Sequence, residues 1–284
     1  MVMTDTNETF ESYRPLMFAI AYRMLGSAMD AEDIVQEAYL RYQSAEGIEI
    51  PKAFLTTVVT RLCLDQLKSA RVQRESYIGP WLPEPLITTP LDSEYESISM
   101  AFLILLESLT PVERAVFLLR EVFDYDYHEI AEIVGKEEAA CRQSFHRAKA
   151  HIAEHRPRFP ASQDEHQHML ESFMQACLGG DLDGLTSLLT EDVTLMTDGG
   201  GKVSAAIYPL HGRDKVGRFL VGLLKRFPAT FSAEVVEVNR RPAVLIRDDK
   251  KQPFSLTAFN MDEGLIHGIQ VVRNPDKLHA FEQS

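Results

Sequence analysis

The chain has 284 residues, 45% of them hydrophobic, and a formal net charge of -13. That length suits two domains of ordinary size, and the acidity excludes indiscriminate binding to nucleic acid, because a sheath of phosphates repels the chain as a whole. With no leader-like segment and no run of about 18 apolar residues, a cytoplasmic protein with no membrane attachment is expected.

Up to about residue 157 the pattern is helical. Residues 8–25 repeat apolar positions at helical spacing, Ser27 to Asp30 can cap a second helix continuing over 31–43, and Pro51 opens a third that reaches Arg74. Residues 75–92 contain Pro80, Pro83, Pro85 and Pro90 around Trp81, the only tryptophan, so this stretch is expected as an extended linker with a specific tryptophan contact. A second helical block begins near Tyr95. Thr110, Pro111 and Glu113 supply the cap, first-turn proline and acidic third position of a helix start. Tyr127, Ile130, Ala131 and Val134 then share a helical face, Gly135 permits a tight turn, and 137–152 forms another helix, the outline of a helix-turn-helix.

After Pro157 and Pro160 the character changes. Helices are expected over 165–178, 181–190 and 214–227, and strands over 193–196, 230–238, 243–246, 254–260 and 266–272, which together read as a compact α+β domain. Cys63, Cys141 and Cys177 stand far apart in apolar contexts and read as buried thiols rather than a metal set. Two basic clusters stand out in the acidic chain. Arg61, Lys68, Arg71 and Arg74 are opposed only by Asp65, and Arg142, Arg147, Lys149, Arg156 and Arg158 only by Glu154. Selective docking and a solvated helix face explain such clusters about equally.

FAIAYRMLGSAMDAEDIVQEAYLRY (18–42) and FLTTVVTRLCLDQLKSAR (54–71) resemble region 2 of bacterial sigma-70-family initiation factors, particularly the extracytoplasmic-function (ECF) class. The segment 109–152, LTPVERAV through HRAKAHI, resembles sigma region 4. WLPEP (81–85), DGGGK (198–202) and NPDKL (274–278) resemble the signature motifs of an ECF group with an extra C-terminal domain of the NTF2-like, or SnoaL-like, type. The implied architecture is multidomain: a region 2 helical bundle at 1–74, a proline-rich linker at 75–94, a region 4 helix-turn-helix at 95–157, and an α+β NTF2-like cone-shaped domain at 165–284.

The implied function is promoter-directed transcription initiation with core RNA polymerase and promoter DNA as partners, modulated by the fused domain through intramolecular contact, with no cofactor and no covalent chemistry. On this resemblance Asp30, Glu32, Asp33, Gln36 and Glu37 match the polymerase-binding surface, where acidic and amide groups steer association. Arg61, Lys68, Arg71 and Arg74 lie on or just beyond the helix resembling the -10 recognition element, although many ECF factors have asparagine where this chain has Arg61. Glu138, Arg142, Gln143, His146, Arg147 and Lys149 are the polar candidates for the -35 groove, with Ala140, Phe145 and Ala148 expected as packing residues and His128 on the supporting helix.

DGGGK is not a Walker phosphate loop, since it lacks the earlier glycine and the Ser or Thr directly after lysine. Its glycines instead suit a sharp turn. The resemblance implies that Trp81, Pro83, Asp198, Lys202, Asn274, Asp276 and Lys277 make regulatory contacts. Asp192, Asp198, Tyr208 and His211 could furnish an NTF2-like cavity with reactive groups, which leaves open a small-molecule ligand or an enzyme as an alternative. The other alternative is a conventional helix-turn-helix regulator.

Overall fold

Gly26 and Ser27 separate the first two helices. In the computed structural model, which describes residues 6–88, 98–155, 163–224 and 226–282, Gly26 adopts φ +69 and closes α1 (Thr6–Leu25). The Ser27 side chain then accepts the amide of Asp30 and opens α2 (Ala28–Ser44). α3 (Pro51–Glu75) starts on its proline. Met17, Ile20 and Met24 of α1, Ile34 and Val35 of α2, and Leu55, Val59 and Cys63 of α3 are buried where these three helices pack on one another; α4 (Met100–Glu107) buries Leu103 and Leu106.

α5 (Pro111–Phe117) carries the expected capping box between Thr110 and Glu113. It does not continue as a plain α-helix: residues Leu118–Val122 form a π-helical turn. α6 (Tyr127–Val134) opens with a second capping box, Asp126 with Glu129, and ends at Gly135 with φ +66. α7 (Glu138–His155) completes the helix-turn-helix. It buries Cys141, Ser144, Phe145, Ala148 and Ile152. Ala140, expected in the packing, is exposed instead, because the buried face runs through its neighbour Cys141.

The described chain forms two compact units, residues 6–75 with 98 and 102–155, and residues 76–88 with 99–101 and 163–282. The proline-rich segment 76–88 therefore packs as part of the second unit.

That unit opens with α8 (Gln163–Gly179) and α9 (Leu182–Ser187). The helix expected to reach residue 190 stops at Ser187, since β1 (Leu189–Asp198) begins two residues later and is longer than the expected 193–196. A register irregularity between Leu189 and Thr194 leaves Glu191 and Asp192 exposed and breaks the alternation that would have revealed the full strand. β2 (Leu210–His211) is an addition to the expected strands, and α10 (Arg213–Leu224) is shorter than expected. The sheet is completed by β3 (Ser232–Val238), β4 (Arg241–Arg247), β5 (Pro253–Asp262) and β6 (Leu265–Val272), in the order β2-β1-β6-β5-β4-β3. Among the described strands only β1 and β6 pair in parallel. Leu170 and Phe173 of α8 and Val216 and Leu220 of α10 pack with Leu195, Val244, Phe259 and Ile269 of the sheet in one core. Helices on a mixed sheet make this the expected α+β domain.

Candidate functional site

Asp198, at the end of β1, is fully buried and yet carries a carboxylate. Its solvation is replaced by donors from three separate segments. Oδ1 accepts the Tyr77 hydroxyl at 2.6 Å and the Gly200 amide at 3.0 Å. Oδ2 accepts the Leu82 amide at 2.9 Å and Lys277 Nζ at 2.7 Å. Four donors match the roughly four acceptor sites of an ionised carboxylate, so the charge is buried without an orphaned lone pair. The Asp198 carbonyl also accepts the amides of Arg273 at 2.7 Å and Asn274 at 2.9 Å.

Lys277 is buried as well. Besides Asp198, its Nζ donates to the Leu82 carbonyl and lies 4.1 Å from the Trp81 ring centroid and 5.4 Å from that of Tyr77, so the ammonium is held by one anion, one carbonyl and two aromatic faces. Asn274 Nδ2 donates to the Tyr77 hydroxyl at 3.1 Å, while its Oδ1 accepts the Asp276 amide at 3.2 Å and caps the turn Pro275–Lys277. Lys202 pairs with Asp276 on the exposed side. Burial, followed by the Asp198 hydrogen bond, pushes the Tyr77 phenol well above its ordinary pKa.

The glycines make this closure sterically possible. Gly200 and Gly201 adopt φ +62 and +70, and a Cβ on Gly200 would stand 2.5 Å from the Asn274 side chain. On Gly199 it would stand 2.5 Å from the Val203 carbonyl.

A second anchor holds the other end of residues 76–88. The β3–β4 hairpin turns through Asn239 and Arg240 at φ +52 and +57, the two-residue pattern with both central residues left-handed. Leu86 donates its amide to Asn239 Oδ1 at 3.1 Å and accepts the Asn239 amide at 2.9 Å. Thr88 donates its amide to the Glu237 carbonyl at 3.0 Å, and Thr88 Oγ1 accepts the Arg240 amide at 2.7 Å. The segment is a strap fastened at both ends. Trp81, Asp198, Asn274 and Lys277 thus meet in one network, Lys202 and Asp276 close its rim, and Pro83 is buried in the strap between the anchors.

The four groups considered for a reactive cavity do not converge. Asp192 and His211 are exposed, Tyr208 is 79% exposed, and Asp198 is consumed by the strap. His211 only approaches Thr194 Oγ1, at 3.2 Å. A cleft of about 270 Å³ beside the glycine loop has no charged side chain in its lining.

In the helical unit, the outward face of α2 presents Asp33 and Gln36 freely, while Glu32 pairs with Arg14 at 2.6 Å and Glu37 with Arg41 at 2.8 Å. Asp30 is tied by its amide to the Ser27 cap. Met29 and Leu40, 58% and 59% exposed, flank Asp33 and Gln36 at helical spacing. A charge-led reading passes over these two, although their apolar side chains continue the same exposed stripe.

Arg61 is not on an open basic face. Its Nε donates to the Ile133 carbonyl at 3.0 Å and its Nη2 to the Glu132 carbonyl at 2.8 Å. Lys68 pairs with Asp65 at 2.8 Å. Arg71 and Arg74 fall in the last turns of α3, where their side chains lie outside the described residues. On α7, Arg142 pairs with Glu138, Arg147 with Glu113 at 2.8 Å and Lys149 with Glu121 at 3.0 Å. Gln143 and His146 are exposed beside Ala139 and Ala140. Glu113 is drawn upward by partial burial, but bonds from Thr110 and Arg147 outweigh this and leave its pKa below the usual value.

Residues 9–72 match the family model for sigma-70 region 2, and residues 99–152 that for sigma-70 region 4. The chain is 38% identical to the ECF RNA polymerase sigma factor SigJ of Mycobacterium tuberculosis, over 94% of this chain and 91% of that protein. It is 33% identical to the probable ECF RNA polymerase sigma factor SigI of the same species, over 95% of this chain and 93% of the relative. The crystal structure of the M. tuberculosis SigJ superposes with a TM-score of 0.78 at 34% identity, covering 95% of this chain and 97% of that one. A relative matched along nearly its whole length, with regions 2 and 4 in order, fixes the family: the chain belongs to the ECF sigma factors of the sigma-70 family, transcription factors rather than enzymes.

Proposed function

We propose that this sigma factor directs core RNA polymerase to its promoters through the helical unit, and that the C-terminal unit sets its activity by gripping or releasing the strap. Polymerase docks on the α2 stripe of Met29, Asp33, Gln36 and Leu40, with Asp30, Glu32 and Glu37 at its edge. Lys68, Arg71 and Arg74 neutralise phosphates near the -10 element. Gln143, His146 and Arg142 read or position the -35 duplex, with Arg147 and Lys149 freed from their acidic partners when DNA arrives, and Glu138 orienting Arg142.

The observation that carries the regulatory reading is the convergence of the strap, the glycine loop and the C-terminal turn on Asp198. Residues 76–88 belong to the covalent connection between regions 2 and 4. Docked at two ends, this segment is a fixed span; undocked, it is a flexible tether between the two promoter-reading modules. A balance of a few kcal/mol suffices to switch between them. The test is run-off transcription with core polymerase, comparing the native chain with Asp198→Asn. Release of the strap raises initiation several-fold at the same promoters, whereas equal activity of the two forms at saturating core polymerase overturns the regulatory reading.

A further inference from the structure

Two arginines lie at the seam between regions 2 and 4 in the helical unit, each placed at the C-terminal end of a helix in the other region. Arg114, at the start of region 4, is 2% exposed and donates through Nη1 to the Met24 carbonyl in the last turn of α1 at 2.6 Å, and to Glu107 at 2.6 Å. Burial lowers its pKa to about 10. Arg61 of region 2 makes the reciprocal contact with the last turn of α6.

The chemistry of a helix end explains why arginine suits this place. The last carbonyls of a helix have no partner within it and gather negative partial charge. In α6 the Ala131 carbonyl is satisfied by the amides of Gly135 and Lys136. The next two, on Glu132 and Ile133, accept from Arg61 at 2.8 and 3.0 Å. A planar fork with two separated donors spans both; asparagine is too short and lysine offers a single point of charge. Beyond them lies Gly135, the turn that aims α7. Thr56 of α3 adds a buried bond of 2.8 Å to the Tyr125 hydroxyl just ahead of α6.

This arrangement cannot serve both promoter elements. Named for positions about 25 base pairs apart, the -10 and -35 elements lie ~85 Å from each other along a duplex rising ~3.4 Å per pair. In this structure α3 and α6 are within hydrogen-bonding distance. We infer that Arg61 is a latch that holds regions 2 and 4 closed in the polymerase-free chain. Arg114 and the Thr56–Tyr125 bond form the buried part of the seam, and Arg61 the solvent-facing part, where opening starts. The consequence for initiation rests on the sigma-factor reading of α7 as the -35 helix; the latch itself does not depend on control by the C-terminal unit.

The experiment uses the full chain without polymerase or DNA, carrying dyes at Ser44→Cys on α2 and Ala150→Cys on α7. Both sites are exposed, whereas native Cys63, Cys141 and Cys177 are buried. Single-molecule energy transfer then counts closed and open molecules in the parent, Arg61→Ala, Arg61→Lys and Thr56→Val. Loss of a hydrogen bond of ordinary net strength raises the open-to-closed ratio about fivefold. The latch predicts that Arg61→Lys, which loses the fork, opens by at least this much and Arg61→Ala, which loses both bonds, by no less, with Thr56→Val opening the same seam independently. If Arg61→Lys and Arg61→Ala both keep the parental ratio, the latch is wrong. It is equally overturned if lysine preserves the parental ratio and only alanine changes it, since charge alone would then account for the effect. Because no polymerase takes part, such a failure leaves the sigma-factor function standing, and a failure of run-off transcription leaves the latch measurement intact.

Discussion

Lys277 Nζ lies 2.7 Å from Asp198 Oδ2, with 10% of the lysine side chain and none of the aspartate side chain exposed. Breaking a buried ion pair from one side leaves the other charge desolvated and unpaired, a penalty of roughly 3–5 kcal/mol where the structure cannot relax. Here it can relax, by letting the strap go. Lys277→Met is therefore expected to appear mainly as undocking, which Trp81, the only tryptophan, reports directly. Its emission should move to longer wavelength and its quenching by iodide should rise, while the far-ultraviolet circular dichroism stays as in the parent. Unchanged emission and quenching would show that the pair does not hold the strap.

The loop glycines differ from others in the same unit. Gly200→Ala must place a Cβ in the left-handed region and against Asn274, whereas a Cβ added at Gly222, exposed inside α10, would meet no atom within 4 Å. Gly200→Ala should cost about 1–3 kcal/mol, and Gly222→Ala should be neutral or stabilise by up to ~1 kcal/mol. Chemical denaturation followed by Trp81 emission separates the two. Similar midpoints for both variants would remove the steric account of the DGGGK motif.

The pH dependence of the strap follows from Tyr77. Its pKa is raised in the folded chain, chiefly by burial and then by the bond to Asp198, so its contribution is fully present below the ordinary phenol value of about 10 and is lost as pH rises above it. Trp81 emission should hold steady through neutral pH into mild alkali and then show a release step. Tyr77→Phe should lose that tyrosine-linked step. A step of the same midpoint and size in Tyr77→Phe would assign it elsewhere.

The exposed side chains of α7 differ in how they are engaged. Gln143 is exposed on the helix, whereas Arg142 is paired with Glu138. In holoenzyme selection from randomised -35 sequences, Gln143→Ala should relax preference at one base pair by about 1–3 kcal/mol. Arg142→Ala should weaken all sequences to a similar degree and lower the salt dependence. A uniform loss with Gln143→Ala would move the reading role to another side chain.

The helical half is readable because its signals are local: Ser27, Thr110 with Glu113, and Gly135 perform the capping and turning tasks their positions imply. β1 reads as shorter than it is because an irregularity puts Glu191 and Asp192 outward within an otherwise inward run. The motif residues of the strap network follow from resemblance, but Tyr77 does not, since a lone tyrosine beside a proline-rich stretch carries no spacing signal. Pairing across 121 positions of sequence, as between Tyr77 and Asp198, is a product of the fold. For the same reason Arg61 reads as part of a basic cluster; its partners are backbone carbonyls 71 and 72 positions away, which have no side-chain signature.

The most direct measurement of strap control follows Trp81 quenching and core-dependent run-off transcription in parallel on the parent, Asp198→Asn, Lys277→Met and a chain ending before Asn274. Strap control predicts that the two readouts rise together, with the more accessible strap initiating more often at the same promoters. Variants whose strap is released while initiation stays at the parental rate would contradict it.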